Sequence, residues 1–99
     1  MRKIDLTKRA AEFLKQLPPK QCKQNFMAIL KLAVNPMPHD ASQLRGYDRL
    51  YRIDVGEYRV IYQFNQETVS ILLVGKRNDD EIYDELKRVS KTIKEMYEC

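Results

Sequence analysis

The sequence predicts an α+β domain: an antiparallel sheet of three to four strands, an N-terminal helical hairpin packed on one face of the sheet, and a C-terminal helix. Three observations lead there. Residues 49–76 alternate apolar and polar side chains with a period of two, as half-buried strands do. The tracts on either side repeat apolar side chains every three or four positions, as amphipathic helices do. Paired prolines, Pro18 and Pro19, divide the first helical tract in two.

Residues 2–6 are predicted to form a short first strand, and Thr7 to cap the helix after it. Leu6, Ala10, Phe13, Leu14 and Leu17 make one apolar stripe of that helix. Pro18 and Pro19 end it, because the residue before a proline is pushed out of the α region. Proline is tolerated in a first helical turn, so a second helix starts at Pro19 or just after. Its expected buried stripe is Cys22, Phe26, Ile29, Leu30 and Ala33, with Met27 and Leu32 at the edges. Asn35-Pro36-Met37-Pro38 then opens a loop that carries His39, the one histidine.

In the sheet, a two-residue turn at Gly56-Glu57 sets Val55 against Tyr58, Ile53 against Val60 and Tyr51 against Tyr62. An even-length loop at Asn65–Thr68 brings Val69, Ile71 and Leu73 onto the same face, where the hairpin packs. Leu50, Arg52, Asp54, Arg59, Ile61, Leu72, Val74 and Lys76 are expected on the other face. Ile61, Leu72 and Val74 are too apolar to stay bare, so the last helix or a partner should cover part of it. That helix is predicted over residues 79–97, with acidic Asp79, Asp80 and Glu81 at its positive end.

Residues 1–99 read as a single domain with no repeat or linker. No apolar run reaches the roughly 20 residues that a membrane helix needs. The first residues lack the apolar middle of a secretory signal. Cys22 and Cys99 give no disulfide framework, so a reduced, cytoplasmic protein is expected. His and Cys spacing offers no metal site, and no cofactor is expected. The net charge of +4 is unevenly placed: residues 1–35 carry eight Lys/Arg against two Asp/Glu. That basic excess suits nucleic acid or an acidic protein partner, and equally a solvated helix surface.

The sheet carries arginines with one carboxylate and no nucleophile motif. Arginine stays charged, so it is a poor base, but its planar fork binds two phosphate oxygens. Two arginines aimed at one phosphate stabilise the extra charge of a five-coordinate transition state. A tyrosine can stack on an unpaired base. Such a set suits metal-free RNA cleavage in which the substrate's own 2′-hydroxyl attacks the neighbouring phosphate. His39 as a general base is the weaker alternative to an exposed loop histidine.

The pattern LRG…YRIDVGEYRVIYQ…VSILLVGKRNDDEIY resembles the RelE/ParE superfamily of toxin–antitoxin toxins, and within it the RelE branch. The most specific segments are Tyr58-Arg59 with Tyr62, and Val74-Gly75-Lys76-Arg77 followed by Tyr83. The resemblance implies a RelE-like fold and a toxin that cleaves mRNA in the ribosomal A site. It also implies a cognate antitoxin that wraps and blocks the toxin. Arg59 matches the family arginine at the scissile phosphate. Arg77 matches the arginine that supports the transition state, and Tyr83 the tyrosine that orients the nucleotide.

The chain departs from RelE where that family places two lysines, one of them assigned as base; here stand Arg52 and Asp54. In the expected register Asp54 faces Arg59. It is either a structural partner, contributing roughly 0.2–1 kcal/mol, or a base with Arg52 and Arg77 holding phosphate. Arg49 and Lys76 are candidate RNA-backbone contacts or surface charges, and Arg45 either touches RNA or fixes the loop entering the sheet. Three functions stay open: a ribosome-dependent mRNA endonuclease, a ParE-like gyrase inhibitor, and a catalytically degenerate member that only binds its antitoxin.

Overall fold

A computed structural model describes residues 1–77, 83, 84 and 86–88. Strand β1 (Lys3–Leu6) leads into helices α1 (Lys8–Gln16) and α2 (Pro19–Val34), followed by β2 (Ser42–Gln43), β3 (Tyr51–Val55), β4 (Tyr58–Phe64) and β5 (Thr68–Lys76). These strands form one five-stranded sheet in the order β1-β5-β4-β3-β2. The fold is therefore the expected α+β arrangement with more strands than predicted. β2 has only two residues, too few to show a period, and β1 joins β5 in parallel. Its place therefore depended on the path of the hairpin that follows it.

The helical hairpin forms for local reasons. Thr7 caps α1, its Oγ1 accepting from the Ala10 amide at 3.1 Å. Pro18 and Pro19 make the corner, and Pro19 opens α2. The hairpin face of the sheet is sealed by Ala10, Leu14, Ile29 and Leu32 packed on Ile53, Val55, Val60, Tyr62, Val69, Ile71 and Val74. The Tyr62 hydroxyl donates to the buried Pro36 carbonyl at 2.6 Å, tying the loop after α2 to the sheet.

Two expectations about faces are corrected. In α2 the buried residues are Asn25, Ile29, Leu32 and Ala33. Phe26 and Leu30 are instead 38% and 58% exposed. α2 is apolar around most of its circumference, so periodicity alone allowed two stripes, and contact with the sheet selected one. In β5 the pairing shifts: Tyr62 pairs with Ile71, but Ile61 pairs with Leu73. Leu72 is the extra residue of a β-bulge, and beyond it the alternation is inverted. Leu73 therefore joins the second face and Val74 the hairpin face. Lys76, expected beside Arg52 and Arg59, pairs with Tyr58, and its register position is on the hairpin side.

The second face is covered as expected. Leu44, Leu50, Ile61, Leu72, Leu73 and Leu86 form a small core with Tyr47 and Tyr83 packed against it. Residues 83, 84 and 86–88 are helical; the rest of the predicted last helix, and Cys99, lie outside the described residues.

Candidate functional site

The site is built by register. The β3–β4 hairpin turns at Gly56-Glu57 with a positive φ of 59° at Gly56, the sign that a two-residue turn opening on glycine requires. Asp54 is thereby paired with Arg59, as expected, and Arg52 lies two residues away on the same face of β3. The ladder continues past the last pair, with the Arg77 amide donating to the Glu57 carbonyl at 3.0 Å. Arg59 pairs with Gly75, so alternation returns Arg77 to the Arg59 side. Tyr83 reaches the same point from the helical residues after β5.

These side chains are joined into one network. Arg59 Nε donates to Asp54 Oδ1 at 2.8 Å, and Nη2 approaches Oδ2 at 3.4 Å. Arg52 Nη1 stands 3.6 Å from Oδ2. The third nitrogen of Arg59, Nη1, donates to the Tyr83 hydroxyl, and the guanidinium carbon lies 5.9 Å from the Tyr83 ring centre. Arg59 is the deepest of the charged three, with 14% of its side chain exposed against about a third for Asp54 and Arg52.

Electrostatics follow from this crowding. The hydrogen bond from Arg59, helped by the charges of Arg59, Arg52 and Arg77, holds the Asp54 carboxyl below the usual carboxylate range despite partial burial. The same hydrogen bond pushes the Arg59 guanidinium up, so it stays charged. Three guanidinium groups around one carboxylate leave a net positive centre. Its chemistry is anion binding and charge stabilisation. A carboxylate held this firmly ionised is a weak proton acceptor.

Of the predicted site residues, Arg52, Asp54, Arg59 and Tyr83 come together, and Arg77 is close enough to act on Asp54. Arg45 and Arg49 are exposed in the loop between β2 and β3. Arg49 adopts φ 66°, a left-handed conformation uncommon for a residue other than glycine. Lys76 is exposed at the end of β5 with the opposite parity. His39 is exposed in the loop between α2 and β2.

One feature had no clear sequence signal. A groove of about 590 Å³ lies between α2 and β3, lined by Met27, Ala28, Leu32, Pro38, Ile53 and Val55 among others. The surplus of apolar residues in α2 was visible, but not which of them would remain at the surface.

Sequence and fold both match known proteins. The model of the ParE toxin family of type II toxin–antitoxin systems matches residues 4–81. A RelE1 toxin candidate from Methanocaldococcus jannaschii is 37% identical over 62 residues, covering 60% of this chain and 69% of that relative. RelE in the RelE–RelB complex of Pyrococcus horikoshii OT3 is 28% identical, with a TM-score of 0.68 over 77% of this chain and 94% of that one. A free double mutant of Escherichia coli RelE is 26% identical, with a TM-score of 0.73 over 88% of this chain and 96% of that one.

Proposed function

Because this chain belongs to the RelE/ParE superfamily of type II toxin–antitoxin toxins, we propose that it is a ribosome-dependent mRNA endonuclease restrained by a cognate antitoxin. The observation that carries this reading is the network of Arg52, Asp54, Arg59 and Tyr83 within electrostatic reach of Arg77. A binding module needs no such concentration of charge around a half-buried arginine.

In the proposed reaction, the 2′-oxygen of the nucleotide bonds to the adjacent phosphorus and the bond to the 5′-oxygen breaks. One proton leaves the nucleophile and one reaches the leaving oxygen. The products are a 2′,3′-cyclic phosphate and a 5′-hydroxyl. Negative charge accumulates on the non-bridging oxygens of the five-coordinate phosphorus, and Arg59 and Arg77 stabilise it. Tyr83 stacks on and orients the base. Arg49, held in a strained backbone conformation, and Arg45 supply backbone contacts on the approach. Lys76 lies on the other side of the strand and serves the RNA only from its edge.

The antitoxin partner is supported by related RelE structures solved as RelE–RelB complexes from Pyrococcus horikoshii and Escherichia coli. No described helix is long and apolar enough to cross a membrane; the cytoplasmic site of action follows from the proposed work on ribosomes. A ParE-like gyrase inhibitor is the second reading, because the matching family model is that of a ParE toxin. An assay with purified ribosomes and mRNA separates the two. Cleavage that Arg59→Ala or Arg77→Ala abolishes supports the endonuclease. Intact mRNA with inhibited supercoiling by gyrase supports the alternative, and neither effect points to a degenerate antitoxin-binding member.

A further inference from the structure

The geometry points to Asp54 as an internal competitor that sets the affinity of the site for phosphodiester. It would do so by occupying the edge of Arg59 that the substrate phosphate must take. This inference rests on the RNA-cleaving reading above and replaces a proton-transfer role for Asp54.

The relevant edge is the pair Nε and Nη2, the fork with which arginine grips two oxygens of one phosphate. Here both nitrogens are directed at the two oxygens of Asp54, at 2.8 and 3.4 Å. Nη1 is directed at the Tyr83 hydroxyl. The side-on fork of Arg59 is therefore already taken when a substrate arrives. Arg52 is drawn toward the same carboxylate, with Nη1 3.6 Å from Oδ2. The carboxylate thus mimics the planar edge of a phosphate and adds a negative charge where a negative ligand must arrive.

The competitor can also leave. Asp54 has 34% of its side chain exposed, so it can turn into water when a phosphate takes its place. Arg59, at 14%, is fixed beneath it. The exchange keeps Arg59 paired throughout and never leaves a half-buried cation uncompensated. A fixed cation under a mobile anion is the arrangement expected of a displaceable occupant.

The test is single-turnover cleavage on programmed ribosomes by the full chain, comparing wild type with Asp54→Asn, Asp54→Ala and Arg59→Ala. The expected result is a half-saturating toxin concentration about tenfold lower for both Asp54 variants, with the maximal rate retained. An unchanged half-saturating concentration overturns the proposal. So does a maximal rate reduced by about a hundredfold or more, the mark of a lost general base. If Arg59→Ala is inactive while both Asp54 variants match wild type, only the competitor role fails. If wild type does not cleave, or Arg59→Ala cleaves as wild type does, the RNA-cleaving reading fails and the competitor role with it. A measurement on unaltered protein guards against a folding defect in the variants. Titration with inorganic phosphate should move the Arg59 Nε–H resonance, and a resonance that stays in place overturns the proposal.

Discussion

Asp54 and Tyr62 show how position decides what a side chain contributes. Asp54 is held ionised by Arg59, with Arg52 and Arg77 assisting. A carboxyl whose folded value is depressed adds stability above its unfolded value and loses it as pH falls through the folded value. Wild type should therefore lose stability below about pH 4, and Asp54→Asn should flatten that part of a denaturation-versus-pH profile. Tyr62 is the opposite case. Burial, with Asp40 and Tyr51 assisting, pushes its phenol up to about 12. Its contribution is complete below pH 10 and lost as pH rises toward 12. The absorbance of tyrosinate should show one tyrosine that ionises only as the protein unfolds. Tyr62→Phe leaves the Pro36 carbonyl without its donor and should cost about 1–3 kcal/mol in thermal or urea denaturation.

Among the elements, Thr7 does more than cap a helix. Its Oγ1 accepts from Ala10 and donates to the Leu72 carbonyl at 2.6 Å. Leu72 is the bulged residue of β5, so Thr7 pairs a carbonyl at the point where the ladder is interrupted. Thr7→Ala should lower stability by about 1–2 kcal/mol, and Thr7→Ser should recover most of the loss. The cap was legible in the sequence; the bulge was not. A bulge at Leu72 has no glycine or proline to announce it, and its support comes from a residue 65 positions away. Leu73, Val74 and Lys76 were misplaced for that single reason. The Asp54–Arg59 pairing lay before the bulge, beside a tight glycine turn, and the sequence placed it correctly. Phe26 and Leu30 were misplaced because a helix apolar on most sides does not declare which side it buries.

Across the molecule, one sheet serves two purposes. The hairpin seals one face around Val60 and Tyr62, and on the other face a small leucine core lies beside the arginine network. Tyr83 belongs to both, packed against that core while bonded to Arg59. Tyr83→Phe removes the hydroxyl but keeps the ring, so it should change stability little and loosen Arg59. Retained thermal stability with an altered Arg59 Nε–H resonance would show this. The basic excess of residues 1–35 belongs to the same scale: under the proposed endonuclease reading, binding to purified ribosomes should weaken steeply with added salt. The most direct test of the arginine network as an RNA-cleaving site is cleavage of mRNA on purified ribosomes by wild type and Arg59→Ala. Wild type should leave cleaved mRNA with a 2′,3′-cyclic phosphate end, and the variant should lose about a hundredfold or more in rate. Intact mRNA with wild type, or equal cleavage by both proteins, would contradict it.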